Sequence, residues 1–385
     1  MIQRYLKKQQ SCPLTEDIPV EVAPDVIVVI PCYNEPDMLI TLKSLVECEH
    51  KGFNTEILVV INSWQQTAES ILRQNRETRQ EVQEFACIHH TDDFCVIPVF
   101  LENLPDKLAG AGLPRKLGMD EALRRLLRGR STGAILVSLD ADCTVQSNYL
   151  AEIYRHFAAD DQLLSATIQF HHPTEQLTSD DRLKQATERY EKYLRVYQQS
   201  LASTGFPYPY FTIGSAFAVR DVAYVKAGGM GRQQGGEDFY FLNKVFPLGK
   251  SLFIDTTVVY PAARLSDRVP FGTGPAVAKI IADGKKDIYS PEAFHLLKVL
   301  FDDLEYFYQA DALSVEKMVN QYHEALQRFL MIDRFVEKIL EINRYTASFP
   351  AFKKRFFHYF NAFKIVKYLN FVHLEYFDYI LLADN

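Results

Sequence analysis

No stretch of the 385 residues supplies the run of roughly 18 apolar side chains that crosses a bilayer. The opening MIQRYLKKQQSCPLTED lacks the apolar centre of a secretory signal. Both absences predict a cytoplasmic protein. An excess of positive charge is missing too: 42 Lys and Arg face 49 Asp and Glu, for a net charge of -7. Bulk electrostatics therefore give no reason to expect nucleic acid as a partner. Six cysteines (Cys12, Cys32, Cys48, Cys87, Cys95, Cys143) contain no CxxC pair, which leaves a zinc site without support and suits reduced thiols. No GxGxxG follows the first predicted strand. Gly110, Gly112 and Gly118 have the wrong spacing for it, which argues against a dinucleotide enzyme. Internal repeats and low-complexity tracts are also lacking.

What is present is an ordinary globular composition, 48% hydrophobic and 24% charged, enough for a sizeable core. After a polar lead-in at 1–24, short β-branched runs alternate with amphipathic stretches. DVIVVIP (25–31), TEILVVI (55–61), FCVIPVF (94–100) and GAILVSLD (133–140) read as buried strands. Helical patterns at 36–48, 65–85 and 114–129 separate them. Such alternation predicts βαβ units and a parallel sheet covered by helices on both faces. Further strands are expected at 163–170, 213–220 and 251–260, and helices at 180–201 and from 236. From about 290 the pattern is helical throughout, as 291–308, 314–329, 331–345 and 350–382. The expected division is a body at 25–265 and a helical extension at 266–385.

Ligands of open parallel sheets sit beyond the carboxyl ends of the strands, so the loops there are the candidates for chemistry. The first strand ends in Pro31-Cys32-Tyr33-Asn34-Glu35, the second in Asn62-Ser63-Trp64, the fourth in Asp140-Ala141-Asp142. Two carboxylates spaced as Asp-x-Asp can face one site. Mg²⁺ or Mn²⁺ takes one or two such hard oxygen ligands and completes its shell with water and substrate phosphate. The plain alternative is a capping aspartate after a strand. Gly235-Gly236-Glu237-Asp238 opens a helix, where acidic side chains complement the helix dipole by roughly 0.3–1 kcal/mol. The same pair could hold a carboxylate base for an attacking hydroxyl. On these residues alone both readings stay open.

Taken in order, VIPCYNEP, ILVVINS, PRKLGMDEAL, LVSLDAD, GSAFAVR, GGM and GEDFYFL closely resemble the family 2 glycosyltransferases over roughly residues 25–265. The resemblance implies an α/β fold of the GT-A type, a Rossmann-like mixed, mostly parallel sheet flanked by helices, here with an α-helical C-terminal extension. It implies transfer of a sugar from a nucleotide-diphosphate donor to an acceptor hydroxyl, with inversion and with Mn²⁺ or Mg²⁺. On this sequence it places the donor against Pro31, Tyr33, Glu35, Asn62, Arg115 and Asp140, and the metal on Asp142 and Asp140. Asp238 takes the place of the catalytic base and Glu237 that of its acidic neighbour, which positions the acceptor with Gly214 and Ser215.

Two departures bear on the donor. The family often has an aspartate right after the second strand, where this chain has Ile61 and then Asn62, so UDP, GDP and a deoxythymidine diphosphate all stay open. A metal-binding histidine after the last core strand is also missing, since no histidine lies between His172 and His295. Arg264 and Arg268 are the candidates to neutralise diphosphate instead, because a guanidinium fork fits phosphate oxygens, although arginines capping a surface loop would look the same.

The doublets His89-His90 and His171-His172 are poor chelators, since neighbours on a strand point to opposite faces. Trp64, the only tryptophan, could wall the nucleotide pocket or pack in the core. The segment 349–377 is aromatic and basic, with no acidic residue from 350 to 374. Such a helix suits peripheral membrane contact and a lipid-linked saccharide acceptor, or packing into its own domain or a homodimer partner. Two other functions share these residues. A nucleotidyltransferase would normally show a glycine-rich loop where PCYNEP has none. A catalytically silent sugar-nucleotide-binding protein would have no need of Asp140, Asp142 and Asp238 together.

Overall fold

The computed structural model describes residues 1–9, 12–176, 181–265 and 272–383. Two compact units divide it: Met1–Glu188 with Thr212–Lys279, and Arg189–Phe211 with Ile280–Asn385.

The first unit is built on an eight-stranded sheet: β1 (Val26–Cys32), β2 (Thr55–Trp64), β3 (Phe94–Leu104), β4 (Ile135–Ser138), β5 (Cys143–Val145), β6 (Leu163–Phe170), β7 (Phe217–Arg220) and β8 (Lys250–Pro261). Their spatial order is β3-β2-β1-β4-β7-β6-β8-β5. The run β3-β2-β1-β4 is parallel, as the apolar alternation predicts. β7 lies antiparallel between β4 and β6, β6 and β8 are parallel, and β5 closes the edge antiparallel to β8. This is the expected mixed, mostly parallel sheet flanked by helices. Every residue of β2 is buried, and only Pro31 of β1 is partly exposed, because helices cover both faces.

Those helices are α1 (Ile2–Gln9), α2 (Met38–Val46), α3 (Glu69–His89), α4 (Gly112–Gly129), α5 (Tyr149–Ala159), α6 (Asp181–Ser203), α7 (Asp221–Lys226), α8 (Glu237–Val245) and α9 (Thr273–Asp283), of which α6 and α9 run on into the second unit. α4 is the most deeply buried of those that cross the sheet. Gly118 faces Val29 and Val60, where an added Cβ would lie 2.5 Å from the Val29 side chain, so the helix rides directly on β1 and β2. Part of the polar lead-in is helical and part is tied to α4. Residues 2–9 form a helix, and Leu14 N and Thr15 Oγ1 donate to the Glu121 carboxylate of α4.

The second unit continues through α10 (Pro291–Asp302), α11 (Leu304–Phe307), α12 (Ala312–Val319), α13 (Glu324–Ile332), α14 (Phe335–Arg344), α15 (Phe349–Tyr359) and α16 (Ala362–Glu375), with a two-residue ribbon of β9 (Asp287–Ile288) and β10 (Ile380–Leu381). The single helix expected over 350–382 is thus two helices and a short strand. Asn361 makes the break, its side chain capping α16 by accepting from Lys364 N at 3.1 Å. Phe352, Phe356, Phe357 and Phe360 are buried and Phe356 stacks on Phe360, while Lys353, Lys354 and Arg355 stay exposed. These four aromatics of the basic segment therefore lie in the interior of their own unit, while Phe363 is exposed. No described helix is long and apolar enough to cross a membrane.

Candidate active site

β1, β2 and β4 end on one edge of the sheet, and their loops surround a cavity of about 490 Å³. That volume falls in the roughly 300–1,000 Å³ range of small-molecule sites. Pro31, Tyr33, Asn34 and Glu35 line it from β1, Asn62 and Trp64 from β2, Asp140, Ala141 and Asp142 from beyond β4, and Ala109, Gly110 and Ala111 from the turn before α4. The rings of Tyr33 and Trp64 lie 6.4 Å apart, tilted by 46°, and form an aromatic wall.

Each loop is fixed from behind. Asn75 of α3 donates to Asn62 O at 2.8 Å and accepts from Asn34 N at 2.9 Å, tying the β1 and β2 loops together. Thr78 of α3 donates to Glu35 O. Thr41 of α2 donates to Ala141 O at 2.9 Å, and Ala262 N donates to Asp142 O, which aims both aspartate side chains out of the turn. Two polar groups remain unmatched there: Asn62 Nδ2 and Ser63 Oγ are buried without a hydrogen-bond partner. A buried donor left unpaired costs about 1–3 kcal/mol, so Asn62 Nδ2, at the cavity wall, awaits an acceptor.

The acids are organised by two arginines. Arg115, at the start of α4 and almost fully buried, holds Asp140 with one end of its fork and Glu237 with the other. Arg264 pairs with the fully buried Glu35 and donates to Asp142 at 2.8 Å. Burial works against the charge of Arg115, but Asp140 and Glu237 more than offset it and hold the guanidinium above its ordinary range. For Asp142, burial and then the neighbouring Asp140 push the carboxyl up, against the pull of Arg264. Asp238 follows Glu237 in the first turn of α8, and its carboxyl is pushed up to about 7 by burial and then by the charge of Glu237, with Arg115 opposing. Its carboxylate accepts a hydrogen bond from its own helix, from Phe239 N at 2.7 Å.

Among the described residues, Glu35, Asp140, Asp142, Glu237 and Asp238 stand against Arg115 and Arg264, five carboxyl groups to two guanidiniums. No group of three or more His, Cys, Asp or Glu among the described residues is placed to enclose a metal, and Asp140 and Asp142 both line the cavity. Gly214 lies on Arg115: a Cβ there would sit 3.0 Å from Nη2, and Ser138 Oγ donates to Gly214 O at 2.6 Å. Ser215 is buried beside Cys143. Arg268 lies outside the described residues. His172 is buried and His171 half-exposed, in keeping with structural roles.

Sequence reading overlooked the Ala109–Ala111 turn and the supports Asn75 and Thr78. The signal for the two supports is polarity on the buried face of α3, at positions three apart where apolar residues are the rule; the turn carries none.

No family model matches the chain, and no curated protein does. Among solved structures it is similar to S. aureus TarS 1-349 in complex with UDP-GlcNAc, at 11% identity over 87% of this chain and 91% of that one, with a TM-score of 0.44. It is also similar to GalNAc-T7 with UDP, GalNAc and Mn²⁺ (14% identity, 90% and 58% covered, TM-score 0.40). A third is the mannosyltransferase PcManGT from Pyrobaculum calidifontis in complex with GDP-Man and Mn²⁺ (16% identity, 97% and 93% covered, TM-score 0.39). Likenesses this distant leave the chemistry of the site to its own geometry.

Proposed function

We propose that this chain is an inverting glycosyltransferase that uses a nucleotide-diphosphate-sugar, with residues 25–265 as the catalytic body and 266–385 as a helical extension. The carrying observation is the fork of Arg115, which joins Asp140 at the cavity to Glu237 beside the raised carboxyl of Asp238. One residue thereby links a phosphate-sized charged site to a group suited to take a proton near neutral pH.

The donor's base lies against Tyr33 and Trp64, with Asn62 Nδ2 donating to a base carbonyl; UDP and GDP both carry one. The diphosphate faces Asp140, Asp142 and Arg264. The carboxylates here outnumber the two guanidiniums, so a cation that accompanies the donor would ease the approach of a polyanion. The donor set fits Mn²⁺ or Mg²⁺, since these ions take one or two carboxylates and leave the remaining positions to phosphate and water. Asp142 and Asp140 would hold the ion, and when bound it would neutralise charge on the departing diphosphate. Arg264 leaves Asp142 for phosphate oxygen, with Glu35 keeping the guanidinium aimed at the cavity.

Gly214, Ser215 and Glu237 border the acceptor, a saccharide or lipid-linked saccharide. Asp238 accepts the proton of its attacking hydroxyl as the oxygen forms a bond to the anomeric carbon. The bond from that carbon to the diphosphate breaks on the opposite face, and its electron pair leaves with the nucleotide. One displacement inverts the centre and needs no covalent intermediate.

The test is release of nucleoside diphosphate from a panel of UDP- and GDP-sugars with Mn²⁺ present. The reading expects turnover with one donor class, abolished in Asp238→Asn and in Asp142→Asn, with both variants folded. Turnover of no donor, or an undiminished variant, would refute it. A protein that binds a donor yet never releases diphosphate would be a silent binder.

A further inference from the structure

Against the N-terminal helix α1 lies a buried charged cluster that the chemistry above does not use. Asp120 of α4 is fully buried, and three side chains from three helices donate to it. Tyr5 Oη of α1 donates at 2.8 Å, Tyr224 Oη of α7 at 3.0 Å and Lys116 Nζ of α4 itself at 2.8 Å. Lys116 Nζ also donates to Tyr5 Oη at 3.1 Å, and the Tyr5 and Tyr224 rings meet edge to face at 5.9 Å. One carboxylate and one ammonium balance, and every polar atom named has a partner. Stability alone could explain such a knot.

Its position says more. Lys116 is the residue after Arg115, so the cluster pins the turn of α4 that aims the Arg115 fork. On its other side Tyr224 leads into Gly228-Gly229, both with positive φ, then into the segment that ends at Glu237 and Asp238. Gly229 passes so close that a Cβ on it would lie 1.8 Å from Tyr5 Oη. Further along the same segment, Cβ atoms on Gly110 and Gly112 would each lie 2.2 Å from a backbone oxygen, of Gln234 and Gln233 respectively. Behind it the Tyr224 ring packs on Phe241 of α8 at 5.4 Å. Tyr5 thus touches both pieces of chain that must meet for Arg115 to pair with Glu237.

The geometry points to Tyr5 as a positioning residue for the transfer reaction, holding the Arg115 turn and the 229–238 segment in mutual register from outside the site. This rests on the proposed function for its effect on rate, but the clamp itself is a statement about the chain. The hydroxyl makes the hydrogen bonds to Asp120 and Lys116, while the Lys116 ammonium also lies 5.6 Å from the Tyr5 ring centroid, so Tyr5→Phe removes the hydrogen bonds and keeps the ring contacts. Thr15→Ala is the matched control. It cuts another anchor of the same N-terminal segment, the hydroxyl that donates to Glu121 and accepts from Arg125 and Arg128, farther along α4 from Arg115.

In the full-length protein, Tyr5→Phe is expected to lower kcat roughly 10- to 100-fold with donor KM within about twofold, the scale of a misplaced catalytic group. Amide hydrogen exchange over 229–240 should speed up by about tenfold. Thr15→Ala should lower the melting temperature and change neither quantity. Should Tyr5→Phe not fold, Gly229→Ala, which forces the chain off the hydroxyl, should give the same loss of kcat. Equal kcat losses in Tyr5→Phe and Thr15→Ala, or unchanged exchange over 229–240, would overturn the clamp. If the wild type turns over no sugar nucleotide, the parent reading fails, and the exchange data still decide the clamp.

Discussion

α4 carries a buried arginine near each end, and the two are treated differently. Arg125, near the helix C-terminus, forks onto Glu56 at 2.6 and 2.7 Å and spends its remaining donors on Thr15 Oγ1, Ile18 O and Pro19 O. One cation meets one anion, and the guanidinium is fully hydrogen-bonded. Arg115, at the N-terminal end, is divided between Asp140 and Glu237, and its Nε is buried without a partner. More acids crowd around it than the two site arginines can balance. A closed, neutral network is what a fold needs to bury charge; an open and negative one is left incomplete for something else. On the proposed function, the Arg125 end of the helix is structural and the Arg115 end serves the chemistry.

The sharpest way to break this comparison is to remove the groups it calls chemical. Asp238→Asn should lower transfer about 10²- to 10⁴-fold, the range for a lost general base, while circular dichroism and melting show an intact fold. Arg125→Ala should do the reverse. Leaving Glu56 buried and unpaired costs roughly 3–5 kcal/mol in denaturant unfolding, with kcat per folded molecule unchanged. A catalytic collapse in Arg125→Ala, or a comparable stability loss in Asp238→Asn, would erase the distinction.

Asp238→Asn should in fact stabilise. A carboxyl raised to about 7 in the folded state, against 3.8 ordinarily, keeps its proton on folding, so the wild type loses stability as pH rises from about 4 to 7. The asparagine variant escapes that loss. Its advantage should be about 2 kcal/mol at pH 8, discounted for partial exposure, and vanish near pH 4. Urea titrations of both proteins at the two pH values check this. The mildest effect is on rate: kcat/KM should fall about tenfold per pH unit below a midpoint near 7 and level off above it, as the base protonates. A flat profile from pH 5 to 8 would remove Asp238 from the reaction.

Much of this was legible in the residues. VIVVIP and ILVVI are short, β-branched and flanked by turn residues, which marks strands buried on both faces, and pairing such strands in parallel brings Pro31, Asn62 and Asp140 to one edge. Local pattern also marks Asp140-x-Asp142 and the acidic opening of α8. Pairings across the chain were harder. Arg115 and Glu237 are 122 residues apart, and only the packed fold brings them into contact. Nothing in IQRYLKKQ announces that Tyr5 reaches Asp120, since a short polar helix has little propensity of its own and forms here through its packing. Likewise the break at Phe360-Asn361 depends on one side-chain cap inside an otherwise continuous aromatic pattern.

The central claim is that the Asp140/Asp142 edge of the cavity receives a nucleotide diphosphate together with a divalent cation. Calorimetric titration of the full-length protein with UDP and GDP, with and without Mn²⁺, tests it most directly. The account predicts binding of one nucleotide that strengthens at least tenfold with Mn²⁺, a gain of about 1.4 kcal/mol or more, and that loses this dependence in Asp142→Asn. Binding of equal strength with and without the ion, or an Mn²⁺ effect that survives in Asp142→Asn, would contradict it.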